Sequence, residues 1–495
     1  MSSSLGLTFE PSILVIFGIT GDLSRRKLLP AIYHLAEDGL LPETMHIVGV
    51  SRNDLSKDTL LANIKSSVET GGNTCKQEVL DWLESSITTI TADLTKPMAY
   101  LELKQTLDSI EDDAGTCLHR LFYLSIPSKA FKTVIDQLGT NGLNTGCSHD
   151  GTQSRLLIEK PFGSNTASAQ DLINTLQGTF EENQIYRIDH YLARETVQNI
   201  LKFRFENPLF NTSWNKDHIS HIMITAAESI GIEGRANFYE GVGAARDLIQ
   251  SHLLQILALI TIDQPEKMTT EFIHKAKQQL FSQIQPPTSE QMSTHTARGQ
   301  YSNYSKEVEN ADSQTETYAA VQLSIDNDRW RDVPMLIRTG KALAQKTTEI
   351  TVVFSDKTNL ACTNLLTIRI QPHEGIVLDL RIKKPGFASN DIEHAQMSFC
   401  YDHVNPAHPS AYERVIIDAM RGDQTLFATS GEVLDSWRVI DPILEAWDNN
   451  QVALDTYESG SWGPESGEKL ASQCSAQWTS STPFVCTPEL GRRSR

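Results

Sequence analysis

Residues 12 to 17 read SILVIF and run straight into Gly18-Ile19-Thr20-Gly21. A strand that is apolar on both faces must be covered on both, which is the setting of a parallel sheet flanked by helices. A glycine-bearing turn leading from such a strand into a helix narrows the choice to an open α/β sheet. The chain that follows agrees. Leu28, Ile32 and Leu35 recur at helical spacing after the turn. His46–Val50 (HIVGV), Leu121–Ile126 (LFYLSI), Arg155–Ile158 (RLLI) and Gln184–Ile188 are further short strands, and Ala167–Leu176 is a helix before the last of them. Strands separated by helices imply parallel pairing through right-handed crossovers.

Beyond about residue 190 the period changes to two. Val321, Leu323 and Ile325 alternate with Gln322, Ser324 and Asp326; Leu366, Ile368 and Ile370 alternate with Thr367 and Arg369. Ile376, Leu378, Leu380 and Ile382 repeat the pattern, and Ile222, Ile224 and Ala226 match it. Such alternation marks sheets with one solvated face, usually antiparallel. The expected fold is therefore an α/β Rossmann-type N-terminal domain, residues 1–187, followed by a larger α+β domain, residues 188–495, with a mostly antiparallel sheet. RIDHYL, residues 187–192, falls at this seam, where ligand clefts often form. The stretch Gln285–Tyr304 reads as a polar loop, and the Ser/Thr/Pro-rich tail after Trp478 as disordered.

Charge excludes one class of partner. With 43 basic against 62 acidic residues the net charge is −19, and nonspecific nucleic-acid binding needs the opposite balance. An anionic small ligand would need a local cluster of Lys, Arg and His. The 7 cysteines include no CxxC pair, so neither a metal site nor a disulfide framework is expected, and a reducing, cytoplasmic compartment fits. The central apolar run, Leu253–Leu254 and Ile256–Ile260, falls short of the ~20 residues of a membrane span. MSSSLGLTFEP lacks the charged and apolar regions of a signal peptide.

Three segments carry candidate chemistry. Gly18 to Ser24 (GITGDLS) would bring backbone and a helix N-terminus to a pyrophosphate. Its spacing is GxxG rather than GxGxxG, which an ordinary strand-to-helix turn also satisfies. The second strand ends in Val50-Ser51-Arg52. An Arg there suits the 2′-phosphate of NADP, whereas Asp54, two residues on, suits the ribose hydroxyls of NAD. In Glu159-Lys160-Pro161-Phe162-Gly163 a lysine ends a strand, where ligands bind in open α/β sheets, although a solvated lysine is the commoner reason for one. The following Pro161 is a candidate for a cis peptide. Gly243–Gln255 reads as a helix with Asp247 and His252 among apolar neighbours. On an ideal α-helix five residues turn through about 140° and rise ~7.5 Å, so the two would flank a ligand without stacking. A core histidine bonded to a carbonyl is one reading of His252; a general base is the other.

FGITGDLSRRKLLPAIYHL, EKPFG, YRIDHYLARETVQN, IEGRANFYEGVGAARDLIQSHLLQ, MLIRTGKAL, LTIRIQPHEGI and GSWGP together resemble the glucose-6-phosphate 1-dehydrogenase family, in that family's order and over nearly the whole chain. The resemblance implies oxidation of β-D-glucose 6-phosphate at C1 to the 6-phosphogluconolactone with hydride passing to NADP, the first step of the oxidative pentose phosphate pathway, and a homo-oligomer, dimer or tetramer, built through the large sheet. It makes His252 the proton acceptor and Asp189 the carboxylate that orients it. His190, Tyr191 and Arg194 match positions around the sugar phosphate. Glu228 and Asp247 match acceptors from sugar hydroxyls. Lys160 matches a lysine near both sugar and nicotinamide, and Lys341 and Lys346 match further substrate contacts. Gly18, Thr20, Gly21, Asp22, Leu23, Arg52, Asp93 and Leu94 match coenzyme contacts. No metal is expected. Ala193-Arg194 replaces the Gly-Lys usual in the family, and Ser251 stands where Asn is common. Val377 and Asp379 occupy places where some animal members hold a second, structural NADP, so no such site is expected. The alternatives weighed against this reading are the same chemistry on another, unphosphorylated sugar, and a coenzyme-sensing regulator without turnover.

Overall fold

The computed structural model describes residues 9–146, 152–355, 363–385, 392–401, 409–473 and 476–478. The chain divides into two compact units: Met1–Ala193, Thr269–Glu271 and Pro409–Ser430 form one; Arg194–Met268, Phe272–His408 and Gly431–Arg495 form the other.

The first unit is the α/β unit. Its strands are β1 (Ser12–Phe17), β2 (Met45–Ser51), β3 (Ile87–Thr91), β4 (His119–Leu124), β5 (Ser154–Ile158) and β6 (Ile185–Arg187). They lie in the order β3-β2-β1-β4-β5-β6, and all five neighbouring pairs are parallel. Every residue of β1 is buried, as its unbroken apolar run requires. In this order the chain leaves β1 toward one side of the sheet and later returns to the other. The crevice at that reversal, outside the carboxyl ends, is where such sheets bind ligands.

A segment remote in sequence completes this unit. Ser410 and Glu413 form a capping box at the start of the helix Ala411–Arg421. Val415, Ile416 and Met420 of that helix join the same core as Leu14, Ile47 and Tyr123. Arg155 donates 2.7 Å hydrogen bonds to the carbonyls of Ala419 and Met420. A guanidinium thus satisfies carbonyls that the end of a helix leaves open.

The second unit contains β7 (Ile219–Ala227), β8 (Ile284–Gln285), β9 (Thr296–Tyr301), β10 (Tyr318–Ile325), β11 (Met335–Gly340), β12 (Thr347–Phe354), β13 (Leu365–Gln371), β14 (Gly375–Lys383), β15 (Ile392–Cys400) and β16 (Leu454–Tyr457). The path is β15-β14-β13-β12-β7-β11-β10-β9-β16, with β8 paired to β10. Among the described residues, only β7–β11 and β9–β16 are parallel. The sheet is thus mixed and mostly antiparallel. In the parallel pair Ala227 lies opposite Gly340, so the next residues, Glu228 and Lys341, leave the sheet together.

Three expectations are corrected. Gln285–Tyr304 is not a loop: it contains the helix Met292–His295 and the buried strand β9. The polar letters of TARGQY mislead because they are satisfied inside; Arg298 donates to the Val452 carbonyl at 3.0 Å and Thr296 to Met292 at 2.7 Å. Cys117 and Cys400 are each disulfide-bonded, while Cys75 is a free thiol. Spacing along a chain does not report the Cα separations that decide whether two cysteines can bridge. Cys147, Cys362, Cys474 and Cys486, and the tail after Trp478, lie outside the described residues. The third correction concerns the helix of Asp247 and His252. Residues Ala245–Leu253 are wound as a π-helix before the α-helix Leu254–Thr261 begins. Bonding from i to i+5, seen where the Leu254 N–H meets the Ile249 carbonyl, puts residues five apart about one turn apart. Asp247 and His252 therefore share a face.

Candidate active site

At the carboxyl edge of the first sheet, Gly18 turns the chain with φ +82°. A Cβ there would stand 2.3 Å from the Ser125 carbonyl oxygen, so only glycine fits between β1 and the chain leaving β4. Gly21 N–H closes the turn on the Gly18 carbonyl at 2.9 Å. Ser24 is buried and bonds both the Gly18 carbonyl, at 3.0 Å, and Ser125, at 2.9 Å. Thr20 and Asp22 are exposed, Gly21 and Leu23 half-buried; Thr20 stands 3.4 Å from the Ser51 hydroxyl, and Asp22 pairs with Arg26 at 2.7 Å.

Arg52 is exposed just past β2. Asp93, just past β3, accepts from the Thr95 N–H and hydroxyl at 3.0 and 2.8 Å. Those bonds hold its pKa below the usual carboxylate range, and nearby Lys96 and Arg52 add to this. The Leu94 carbonyl accepts from Tyr100 at 2.9 Å. The residues fit a dinucleotide: a turn too tight for any side chain and, in an acidic protein, the exposed cations Arg25, Arg26, Lys27 and Arg52 after adjacent strands.

Further along the same edge come Glu159, Lys160 and Asp189. The Lys160–Pro161 peptide is cis. Glu159 accepts a 2.6 Å bond from Tyr123; burial pushes its pKa up to about 7, Asp189 pushes the same way, and Tyr123 and Lys160 oppose. Asp189 is buried and accepts from the Tyr191 N–H at 2.9 Å, a local turn that fixes its direction. The His190 and Tyr191 rings lie 4.9 Å apart. Gly18, Thr20, Gly21, Asp22, Leu23, Arg52, Asp93, Leu94, Lys160, Asp189, His190 and Tyr191 all belong to the first unit.

The second unit holds Arg194, Glu228, Asp247, His252, Lys341 and Lys346. Lys341, only 5% exposed, pairs with Glu228 and lies 3.7 Å from Asp247. Its ammonium also sits over the Tyr239 ring, 4.9 Å from the centroid. A buried lysine is tolerated where carboxylates and a π-face replace its water. His252, one π turn from Asp247, is 1% exposed. Ser251 donates to the Asp247 carbonyl at 3.3 Å. Lys346 is exposed. Arg194 precedes the helix Glu195–Phe205 and lies 3.5 Å from Glu374. Its buried Nε meets no acceptor among the described residues.

Comparison with known families decides what this arrangement belongs to. A profile described as "Glucose-6-phosphate dehydrogenase, NAD binding domain" matches residues 15–199, and one described as "Glucose-6-phosphate dehydrogenase, C-terminal domain" matches residues 201–479. The chain belongs to the glucose-6-phosphate dehydrogenase family. It is 38% identical over 490 residues to "Glucose-6-phosphate 1-dehydrogenase 2" of Mycobacterium tuberculosis, covering 94% of each chain. It is also 38% identical over 490 residues to the Bacillus subtilis glucose-6-phosphate 1-dehydrogenase, covering 94% of this chain and 98% of that one. A solved glucose-6-phosphate dehydrogenase in complex with its substrate glucose-6-phosphate superposes with a TM-score of 0.88 at 30% identity, over 96% of this chain and 100% of that one. The Mycobacterium avium glucose-6-phosphate 1-dehydrogenase gives 0.81 at 32% identity, over 96% and 100%.

For this member of the glucose-6-phosphate dehydrogenase family, reading the sequence passed over Tyr123, Glu159, Tyr239, Glu316 and Glu374. Glu159 and Glu374 lie inside the blocks EKPFG and QPHEG that were singled out, so an acid next to a functional block was the available signal. Tyr239 likewise lies inside the block IEGRANFYEGVGAARDLIQSHLLQ, whereas Tyr123 and Glu316 meet their partners only through the fold and carry no such signal.

Proposed function

We propose that the chain oxidises D-glucose 6-phosphate at C1 to 6-phospho-D-glucono-1,5-lactone, with NADP+ as coenzyme. The observation that carries the reading is the second-unit cluster. A buried imidazole, His252, stands one π turn from Asp247, and Asp247 and Glu228 converge on the buried Lys341. Paired carboxylates beside an ammonium suit a polyhydroxylated, uncharged ring, because together they accept from and donate to its hydroxyls. An imidazole one π turn from Asp247 suits removal of a hydroxyl proton near pH 7.

In this reading His252 takes the C1 hydroxyl proton, and Asp189 is the carboxylate that steadies the imidazolium, by the logic of a hydrolase triad. Glu228 and Asp247 accept hydrogen bonds from sugar hydroxyls, and Lys341 donates. His190, Tyr191 and Arg194 grip the phosphate, whose binding energy is used to orient the distant C1. Lys160 serves both sugar and coenzyme, and Lys346 lies further out on the substrate side. Gly18, Thr20, Gly21, Asp22, Leu23, Arg52, Asp93 and Leu94 hold the dinucleotide, with Arg52 toward the 2′-phosphate. Bound NADP+ supplies the hydride acceptor.

The reading includes a cytoplasmic location, since both reactants are charged solutes, and a homo-oligomer, dimer or tetramer. Ile392, Met397 and Phe399 on the edge strand β15 are exposed, and such an edge invites a partner. The deciding experiment follows absorbance of the reduced nicotinamide with purified protein, NADP+ and glucose 6-phosphate. Turnover that requires the phosphate supports the reading; equal kcat/KM for glucose, or binding without turnover, sinks it. Light scattering of the same sample tests the assembly.

A further inference from the structure

Glu316 lies outside every segment used above, yet it touches the helix that carries Asp247 and His252. Its side-chain Oε1 accepts the Ala245 N–H at 3.0 Å, and its own carbonyl accepts the Ala244 N–H at 3.0 Å. Gly243, at φ +77°, lets the chain pass this carboxyl: a Cβ there would fall 2.3 Å from Oε1 and 2.4 Å from Oε2. The next residue, Thr317, reaches Lys341. Its carbonyl accepts the Lys341 N–H at 2.9 Å, and the Tyr457 hydroxyl bonds the Lys341 carbonyl at 2.7 Å and the Thr317 hydroxyl at 2.8 Å. Two consecutive residues therefore tie the first turn of the π-helix to the backbone of the lysine that Asp247 faces.

We propose that Glu316 is a positioning residue: it sets the first turn of the helix bearing Asp247 and His252, in register with Lys341. The proposal rests on the reaction assigned above. Cost supports it. Glu316 is 5% exposed, and burial raises its pKa to about 7, against bonds from the Ala245 N–H and its own N–H and the charges of Arg246 and Arg298. Burying a carboxyl costs desolvation of its charged form, so it is a poor way to gain stability. What it does supply is an acceptor aimed at the open N–H groups of a helix start. Capping there removes the freedom of that turn to rotate, and rotation would carry Asp247 and His252 together.

The test uses the full-length protein and the substitutions Glu316→Gln, Glu316→Ala and Glu316→Asp. Steady-state kinetics are read with glucose 6-phosphate and NADP+, and amide hydrogen exchange is read over residues 243–253. Misplacement of reacting groups costs rate steeply, so Glu316→Ala, which removes the acceptor, and Glu316→Asp, which withdraws it by one methylene, should lower kcat/KM for the sugar phosphate by about 10- to 100-fold. KM for the coenzyme should stay unchanged, and Glu316→Gln, which keeps an Oε1 acceptor for the Ala245 N–H, should retain most of the rate. Exchange at 244–253 should quicken in Glu316→Ala and Glu316→Asp. Wild-type kinetics in both of these variants overturn the proposal, as does a fall in Tm with kcat and exchange unaltered. Should Glu316→Ala not fold, Glu316→Asp set against Glu316→Gln decides. If the wild-type protein fails to oxidise the sugar phosphate, the assigned reaction is wrong; the exchange result then judges Glu316, and unchanged exchange sinks it.

Discussion

Tyr123 donates a 2.6 Å hydrogen bond to the carboxyl of Glu159, linking the adjacent parallel strands β4 and β5 at the edge that carries Lys160. The Glu159 pKa, about 7, stands above its ordinary 4.5, chiefly through burial. The folded chain therefore keeps a proton that the unfolded chain releases. Stability from this group is full below the unfolded value and is lost as pH rises through 4.5 to about 7. We expect Tm to fall between about pH 4.5 and pH 7, and Glu159→Gln to flatten that fall by a few degrees. Glu316 titrates with the same sign, so some slope should survive. Differential scanning calorimetry across the range checks it; an unaltered slope would show that the Glu159 proton is not linked to folding.

His252 gives the sharpest kinetic expectation. Replacement by Asn keeps a polar side chain of smaller size in a site that is 1% exposed, but it removes the base. Loss of a general base typically costs about 10²- to 10⁴-fold in rate. We expect that loss in kcat for His252→Asn, with KM for glucose 6-phosphate changed only a few-fold. Stopped-flow and steady-state assays on the same sample check both values, and near-normal kcat would remove His252 from the reaction.

Much of this fold was legible for definite reasons. SILVIF could only be a doubly covered strand, and every residue of β1 is buried; the alternating Leu366, Ile368 and Ile370 do form β13, but Thr367 and Arg369 between them are buried as well, so the second face expected to be wet is covered. What escaped was whatever depends on partners far away in sequence. TARGQY looked like loop because its polar groups are satisfied by Val452 and Met292. The helix Ala411–Arg421 gave no sign of belonging with β4 and β5, since only Arg155 and the shared core show it. The π winding of Ala245–Leu253 is likewise invisible to a period fitted at 3.6 residues. It changes Asp247 and His252 from flanking residues to residues of one face.

Arg52 tests the coenzyme assignment. It is exposed past β2, and its charge is felt by Asp93 past β3. A guanidinium gripping a phosphate is worth about 1.5–3 kcal/mol. Arg52→Ala should therefore lower kcat/KM with NADP+ by about 10- to 100-fold and leave kcat/KM with NAD+ nearly unchanged. Parallel assays with the two coenzymes read the ratio directly. An equal loss with both would assign Arg52 to general support of the turn rather than to the 2′-phosphate.

Arg194 and Glu374 carry the last expectation. Glu374 is 3% exposed. One of its oxygens accepts the Thr196 N–H at 2.8 Å and the Thr196 hydroxyl at 2.7 Å; the other lies 3.5 Å from an Arg194 terminal nitrogen. The carboxylate thus caps the start of the helix Glu195–Phe205 and restrains the guanidinium just before it. A guanidinium has five donors in a fixed fork, so one held nitrogen leaves others for a phosphate, whereas a lysine so restrained would keep only a point charge. Arg194→Lys should lower kcat/KM for glucose 6-phosphate by about 3- to 10-fold, mostly through KM, because the grip is weakened while the phosphate is still held. Glu374→Gln keeps an acceptor for Thr196 but frees the guanidinium, so its KM should rise without the loss of Tm that Glu374→Ala would bring. Combining Arg194→Lys with Glu374→Gln should give less than the sum of the two effects on KM, since both act on one grip. Strict additivity in that cycle would separate Glu374 from the phosphate site and leave it a helix cap alone.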